Sequence, residues 1–397
     1  MEKKHIADRI QKLAVSATLA MSQKSSELKA AGVDVVNLSV GEPDFPTPEH
    51  IKQAAKKAID DNYSHYSPVP GYMSLRQAIA DKLARENHTN YSPAEIVVST
   101  GAKQALSNAL MAVINPGDEV VIPVPAWVSY VEMVKLAEGT PVLVPAGVEQ
   151  LEAAITPATK LVLICSPSNP TGAVYTRSEM EGIVDVLRRH TGVWLMSDEI
   201  YEHINYTPEG HVSFGEFPEI KDRLIIVNGV SKAYAMTGWR IGYLAAPADV
   251  AKACSKLQGQ TTSGTCSVAQ KAAEAAYTTS QECVAEMLEA FRRRRDLIVG
   301  LCRAIPGMKL EEPQGAFYIF PEVSAFIGRS YTAADGSRKT IADDNDLAMY
   351  LLEEAHVATV AGSAFCLPGY IRLSYAAADD QLVEAMDRIA KALARLS

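Results

Sequence analysis

Between residues 90 and 247 the chain repeats one pattern: a short β-branched run, a turn rich in Gly, Pro or Ser, and then a helical periodicity. Apolar and polar residues do not alternate within the runs, which is typical of strands buried on both faces in a mostly parallel sheet covered by helices. The runs are residues 96–99, 120–123, 161–164, 193–196, 224–227 and 243–246. After Gln260 a long helical stretch and short strand-like pieces at 317–320 and 371–374 predict a smaller α+β domain.

Composition excludes several classes of protein. The 397 residues include 38 Lys and Arg against 47 Asp and Glu, a formal charge of −9 that argues against nucleic acid or an anionic membrane as the main partner. Apolar residues make up 48%, yet no uninterrupted apolar run approaches the roughly 18 residues of a membrane span. The six cysteines are scattered without a C-x-x-C pair, so we expect a reducing cytoplasm.

The N-terminus loosely resembles a secretory signal, because Lys3 and Lys4 precede the mainly apolar residues 13–21. Acidic residues interrupt the basic stretch, and Ser and Thr dilute the apolar one. The helical pattern continues to Gly32, a typical residue at a helix C-terminus. We therefore favour a helix ending near Gly32 over a cleaved signal.

Polar residues follow the predicted strands in succession, at the edge where open α/β sheets bind ligands. They are Lys103, Trp127, Asn169, Asp198, Tyr201 and Lys232. The chain contains neither G-x-G-x-x-G nor G-x-x-x-x-G-K-[ST], and no H-E-x-x-H or other close metal-ligand spacing. The sequence thus predicts one shared pocket without a familiar nucleotide motif and gives no support for a metal.

Several motifs together resemble those of class I aminotransferases, and most closely the bacterial aspartate aminotransferase subgroup. They are Ser-Pro-Ser-Asn-Pro-Thr-Gly at 166–172, Ser-Asp-Glu-Ile-Tyr at 197–201, Ser-Lys-Ala-Tyr-Ala-Met-Thr-Gly-Trp-Arg at 231–240 and Ile-Arg-Leu-Ser-Tyr at 371–375. The resemblance covers nearly the whole chain from residue 37. It implies an α/β fold of the fold type I, pyridoxal 5′-phosphate (PLP)-dependent class, acting as a homodimer with shared active sites.

The expected architecture is a large domain with a mostly parallel seven-stranded sheet flanked by helices, plus a smaller α+β domain. We assign residues 46–285 to the large PLP-binding domain and 286–397 to the small C-terminal domain. Residues 1–45 form an N-terminal segment that joins the small domain.

The resemblance assigns the reacting part of the cofactor to five residues. Lys232 forms the Schiff base, and Asp198 pairs with the pyridinium nitrogen, which keeps the ring an electron sink. Tyr201 and Asn169 contact the phenolic oxygen, and Trp127 stacks on the ring. The alternatives are a solvated lysine, a helix N-cap aspartate, a core tyrosine, a turn asparagine and a core tryptophan.

The cofactor phosphate requires amide donors and cations. The Gly101 and Ala102 amides lie where a strand passes into a helix and can point at an anion. Ser231 and Arg240 flank the lysine motif and resemble the family's phosphate ligands. Tyr66 resembles the tyrosine that reaches the phosphate from the other subunit.

An amino acid substrate brings an α-carboxylate, and Arg372 with the Gly41 amide resembles the family's clamp for it. A structural ion pair is the alternative for this arginine in a strand-like run. Trp127 and Asn169 also belong to the implied substrate site. In the bacterial aspartate subgroup a lysine at the place of Lys103 faces the distal carboxylate. A phosphate contact and an exposed helix-start lysine are its other possible roles.

The sequence therefore predicts an aminotransferase that moves the amino group of aspartate to 2-oxoglutarate by a ping-pong mechanism. In that mechanism Lys232 holds PLP and then moves the substrate α-proton. The alternatives are an aromatic or prephenate aminotransferase or a β-lyase on the same fold, and a non-catalytic amino-acid-binding module. The basic residues 292–295 are expected to be solvated or paired. A short segment usual in the family is nearly absent between Gly147 and Leu151, which leaves a surface hairpin in doubt.

Overall fold

The computed structural model describes residues 6–333 and 336–397. Its helices are Asp8–Gln11 (α1), Ala17–Ala30 (α2), Glu49–Asp60 (α3), Met73–Glu86 (α4), Ala102–Val113 (α5), Ser129–Leu136 (α6), Val148–Ala153 (α7), Arg177–Arg189 (α8), Ala248–Thr261 (α9), Ser267–Thr278 (α10), Glu282–Arg303 (α11), Asp344–Glu354 (α12) and Asp379–Ala394 (α13). Its strands are Val36–Asn37 (β1), Ile96–Thr100 (β2), Glu119–Val124 (β3), Thr140–Pro145 (β4), Thr159–Cys165 (β5), Trp194–Asp198 (β6), Leu224–Gly229 (β7), Ile241–Ala245 (β8), Tyr318–Ile319 (β9), Ser330–Thr332 (β10), Arg338–Thr340 (β11), Val357–Ala358 (β12), Val360–Ala361 (β13) and Ile371–Ser374 (β14).

Among the described residues, seven strands form one large sheet in the order β2-β8-β7-β6-β5-β3-β4. All neighbours are parallel except β8, which is antiparallel to both β2 and β7. The expected mostly parallel sheet is therefore confirmed, and each predicted run forms one of its strands. Strand β4 was missed because Pro141 and Pro145 interrupt its pattern, and it lies at the sheet edge, where proline is tolerated.

The central strands are buried on both faces. On β6, Leu195 enters one hydrophobic core and Met196 the other. On β7, Ile226 and Ile225 divide in the same way. Side chains of a strand alternate between the two faces, so a sheet covered on both sides needs apolar residues at every position. This explains why the runs lack alternation.

A third core belongs to the C-terminal part of the chain. It includes Met287 and Phe291 of α11 and Ile371 of β14, and Leu38 from the N-terminal part packs into it. Strand β1 pairs in parallel with β12, with Val36 opposite Val357. The same core also contains Tyr201 and Ile204, which follow β6. The division at residues 45 and 285 stays a prediction.

Local details bear on the remaining expectations. Helix α2 ends as predicted, because Gly32 has φ +86° and the next N–H, of Val33, donates to Leu28 O at 3.0 Å. Lys3 and Lys4 lie outside the described residues. Strand β4 runs directly through Gly147 into α7, without a hairpin. No helix within residues 6–333 or 336–397 is long and apolar enough to cross a membrane.

Candidate active site

A cavity of about 300 Å³ lies at the edge of the large sheet where β5, β6 and β7 end. The structure brings most of the sequence-predicted residues to its wall. These are Gly41, Ala102, Lys103, Trp127, Asn169, Asp198, Tyr201, Ser231, Lys232 and Arg240. The carboxyl ends of parallel strands share one edge of a sheet, which is why positions far apart in sequence converge here.

Asp198 is the last residue of β6 and is 4% exposed. Its Oδ2 accepts a hydrogen bond from Tyr130 Oη at 2.7 Å, and its Oδ1 accepts one from the Ile200 N–H at 3.3 Å. Burial raises the pKa of this carboxyl to about 6, although the Tyr130 bond works in the opposite direction. Both donors are neutral, so the arrangement suits a cationic ligand.

The residues after Asp198 form turns rather than a helix, since the N–H of Glu202 donates to Glu199 O at 2.9 Å and that of Ile204 to Tyr201 O at 2.8 Å. The helix N-cap alternative for Asp198 was therefore wrong. The turns nevertheless bring the Tyr201 ring to the cavity wall. Its hydroxyl lies 2.8 Å from that of Tyr318.

Two glutamates anchor these turns to neighbouring side chains. Glu202 forms a buried ion pair with Lys82 and accepts from Asn228 Nδ2 at 2.7 Å. Glu199 lies 3.1 Å from His211 Nε2. Ligand-type atoms of Glu199, Glu202 and His211 fall within 4.8 Å of one another, a spacing that could hold a metal ion. The Lys82 ammonium beside Glu202 opposes a cation there, so we interpret the group as an anchor.

Lys232 lies in the loop between β7 and β8. Its Nζ donates to Gly41 O at 2.7 Å, and burial lowers its pKa to about 8. A lysine of lowered pKa is neutral in a larger fraction of molecules near neutral pH and is then nucleophilic. The solvated-lysine alternative does not fit this position in the cavity wall.

Helix α5 begins at the cavity with φ +80° at Gly101. The Gly101 N–H donates to Ser99 O at 2.8 Å, which differs from the expectation that it points at an anion. Within the described part of the chain, the N–H groups of Ala102 and Lys103 have no acceptor, and the helix start leaves them open for an anion.

Arg240 complements these open amides. Its guanidinium donates to Thr237 O at 2.9 Å and contacts Thr100 O at 3.4 Å, and no carboxylate of the described residues pairs with it. A Cβ atom on Gly101 would collide with this guanidinium, so glycine is required for their close approach. Ser231 also lines the cavity. Open amides, a hydroxyl and an unpaired guanidinium form a suitable phosphate site.

Arg372 lies behind the cavity residue Asn169 and is 1% exposed. Its Nη1 donates to Asn169 Oδ1 at 2.9 Å and its Nη2 to Ser39 O, while the buried Nε has no partner. Its guanidinium lies 4.5 Å from the ring centroid of Tyr318. No carboxylate in residues 6–333 or 336–397 pairs with Arg372, which contradicts the structural ion pair considered as its alternative. A buried guanidinium with an open donor fits an anionic substrate group.

Trp127 and Lys103 lie together on the cavity wall. The Lys103 Nζ is 4.8 Å from the Trp127 ring centroid, and the Trp127 ring packs edge-on against Tyr130 with centroids 5.3 Å apart. Burial, and then the nearby charge of Arg240, lower the pKa of Lys103. Lys103 is an exposed residue of the single chain that also lines the cavity, so both a ligand contact and the exposed helix-start lysine remain open.

Three predicted residues do not line the cavity. Gly101 and Arg372 lie directly behind residues that do, whereas Tyr66 is 98% exposed. The single chain therefore does not bring Tyr66 to the site.

The sequence analysis missed several cavity residues, among them Thr18, Tyr130 and Tyr318. The Oγ1 of Thr18 is buried without a partner. Tyr130 follows Trp127 by three residues in a helical pattern, a spacing that places both on one face and could have indicated it. Thr18 comes from the distant N-terminal helix and carries no local signal.

Comparison with known proteins agrees with this geometry. The family model for aminotransferase class I and II matches residues 33–389. The aspartate/prephenate aminotransferase of Cereibacter sphaeroides is 49% identical over 401 aligned residues, covering 99% of both chains. The aspartate aminotransferase structure from Rhizobium meliloti has a TM-score of 0.94 at 45% identity and covers 100% of both chains. That from Thermus thermophilus with maleate has a TM-score of 0.90 at 40% identity, covering 98% of this chain and 100% of its own.

These matches define an enzyme of the aminotransferase class with the fold type I architecture. The chain belongs to the family of class I and II aminotransferases. The predicted family, fold class and enzyme class are confirmed, and the alternative of a non-catalytic binding module is set aside.

Proposed function

We propose that this aminotransferase uses PLP to move the amino group of aspartate to 2-oxoglutarate by a ping-pong mechanism. The observation that carries the proposal is the presence of a buried carboxylate, Asp198, and an amine of lowered pKa, Lys232, on one cavity wall. Relatives named aspartate aminotransferase or aspartate/prephenate aminotransferase, 46% and 49% identical, support the choice of donor.

The residues present fit the cofactor. Asp198 would face the ring nitrogen, and Ser231, Arg240 and the open amide of Ala102 would hold the phosphate. Tyr201 would bond the phenolic oxygen. When bound, PLP supplies an aldehyde that reacts with amines and a protonated ring that accepts electrons.

Lys232 would hold the cofactor and, once free, carry the proton between the substrate α-carbon and the cofactor. Its pKa of about 8 suits this work, because a general base is most effective when its pKa lies near the working pH. The Gly41 carbonyl, 2.7 Å from Nζ, orients the free amine beside the cavity.

The substrate would be held by two cations. Arg372, with its open Nε, would bind the α-carboxylate together with the Gly41 N–H. Lys103 would bind the distal carboxylate of aspartate or 2-oxoglutarate, with Trp127 and Asn169 completing the wall. We further propose a cytoplasmic homodimer in which the exposed Tyr66 reaches the phosphate site of the partner subunit.

A second candidate substrate is prephenate, which like 2-oxoglutarate carries two carboxylates and in addition a ring hydroxyl. The name of the Cereibacter sphaeroides relative includes both aspartate and prephenate. The unpartnered Thr18 Oγ1 lines the cavity and could pair with such an additional polar group.

The test is an assay of the purified, PLP-loaded protein with a panel of amino acids against 2-oxoglutarate, prephenate and an aromatic oxo acid. We expect rapid oxaloacetate formation from aspartate with 2-oxoglutarate, and parallel initial-rate lines typical of ping-pong kinetics. Pyruvate and ammonia released from a β-substituted amino acid, without oxaloacetate from aspartate, would instead identify a β-lyase.

A further inference from the structure

Arg294 differs from the other members of the basic cluster at 292–295. The cluster is paired, as expected, but only Arg294 among these four residues is buried, at 6% exposure. It donates to both oxygens of Asp44, at 2.7 and 2.9 Å, and its Nε donates to Asp379 at 3.3 Å. A buried guanidinium held by two carboxylates fixes whatever carries them.

Asp44 belongs to residues 39–47, which we call the bridging segment. Its first part contacts two proposed active-site cations. Ser39 O accepts from Arg372, and Gly41 O accepts from Lys232 at 2.7 Å. The segment thus supplies acceptors to the residue proposed to bind the α-carboxylate and to the residue proposed to carry the proton.

The last part of the bridging segment is attached to the loop that carries Lys232. Thr47 Oγ1 donates to Ala235 O at 2.7 Å and accepts from Trp239 Nε1 at 3.0 Å. Between these attachments the segment contacts α11, where Phe45 packs edge-on against Phe291 with ring centroids 5.5 Å apart. The guanidinium of Arg294 lies 4.9 Å from the Phe45 ring.

We propose that Arg294 is a positioning residue for the substrate α-carboxylate, acting through Asp44. The bidentate pair holds the bridging segment against α11, so that Ser39 O and the Gly41 N–H stay in place around Arg372. The α-carboxylate is common to all amino acids, so loss of the Arg294–Asp44 pair weakens the binding of every amino acid substrate, whatever its side chain. This inference rests on the proposed function of Arg372.

The experiment compares Arg294→Gln with Arg293→Gln in the PLP-loaded protein. Arg293 is a matched control, because it lies on the same helix and contacts the same Asp379 but not Asp44, and its side chain is 60% exposed. We expect Arg294→Gln to raise KM for aspartate and for alanine alike by about tenfold, with kcat within about threefold, as for loss of uniform binding. Arg293→Gln should leave both constants unchanged.

Hydrogen exchange of backbone amides at 38–48 gives a readout that needs no turnover. It should accelerate in Arg294→Gln and Asp44→Asn, but not in Arg293→Gln. In the double variant Arg294→Gln with Asp44→Asn, KM should be no higher than in the worse single variant, since both remove one interaction. Should Arg294→Gln fail to fold, Asp44→Asn, whose side chain is 33% exposed, provides the same comparison.

An unchanged KM with unchanged exchange, an effect confined to kcat, or equal effects of the two arginine variants would each overturn the inference. A wild-type protein that transaminates no amino acid would refute the proposed function, whereas exchange at 38–48 would still decide whether Arg294 holds the segment.

Discussion

Two buried charged groups of opposite sign, Asp198 in the cavity wall and Arg372 behind Asn169, both lack a charged partner in the described part of the chain. The carboxylate receives hydrogen bonds from a tyrosine hydroxyl and a backbone amide, and the guanidinium donates to a side-chain amide and a backbone carbonyl. Neither has a partner of opposite charge among the described residues. Burial raises the pKa of Asp198 and lowers that of Arg372, so each charge destabilises the ligand-free fold.

The two groups differ in how they are positioned. Asp198 and Lys232 are positioned by β6, β7 and the loops that follow these strands. Arg372 depends on contacts from β14 to Asn169 and to the bridging segment. We therefore expect substitutions at Asp198 and Lys232 to lower kcat, and substitutions that disturb Arg372 to alter substrate binding.

The largest effect is expected for Lys232→Ala. Transamination should be abolished, while PLP still binds through Asp198, Ser231 and Arg240, because only the covalent bond and the proton transfer need the amine. Cofactor content by absorbance and single-turnover rates will measure this. Borohydride reduction and peptide mapping of the wild type supply the control: a reduced cofactor on another lysine would contradict the assignment.

Asp198→Asn should lower kcat by orders of magnitude while PLP stays bound. The amide keeps the shape of the carboxylate but cannot hold the ring nitrogen protonated, so the electron sink is lost in the transition state. Steady-state kinetics at saturating PLP will test it. Normal turnover with full cofactor occupancy would show that the charge of Asp198 has no catalytic role.

The same variant should stabilise the PLP-free protein as the pH rises. The carboxyl pKa is raised from 3.8 to about 6, so the wild type loses stability between about pH 4 and 6, and the variant does not. Above pH 6 the variant should be more stable by up to about 3 kcal/mol, the free energy of two pKa units. Urea unfolding midpoints of the wild type and the variant at pH 5 and pH 8 will measure this difference in stability. Saturating PLP should remove the difference. An equal difference at both pH values would contradict it.

The smallest effect concerns Lys103→Ala on the substrate side. Removing this cation should weaken the binding of aspartate and glutamate by about 1.5–3 kcal/mol, the scale of a charged hydrogen bond. The binding of alanine, which has no distal carboxylate, should be nearly unchanged. The measurement is kcat/KM for an acidic and a neutral amino acid in both proteins. An equal loss for both would assign Lys103 to the phosphate instead.

Sequence reasoning succeeded where function and local structure coincide. Lys232 and Asp198 could be identified because Asp198 ends one buried strand and Lys232 lies shortly after another, each within a contiguous motif. Strand β4 was missed because its two prolines interrupt the strand pattern. The Gly101 N–H was predicted to face an anion, but it donates to Ser99 O within the local turn. Thr18, Tyr318 and the Arg294–Asp44 pair could not be predicted, because they depend on tertiary contacts between distant parts of the chain.

The antiparallel pairing of β7 with β8 also affects how the protein is made. Gly229 at the end of β7 pairs with Gly242 of β8, so the loop that carries Lys232 begins and ends at neighbouring positions in the sheet. Contacts between residues this close in sequence form quickly during folding. Asn169 and Arg372, by contrast, are separated by 203 positions. Domains fold as units during synthesis, N-terminal ones first. With the proposed domain end at residue 285, we expect Asp198, Lys232 and Arg240 to be in place on the nascent chain before Arg372 is translated.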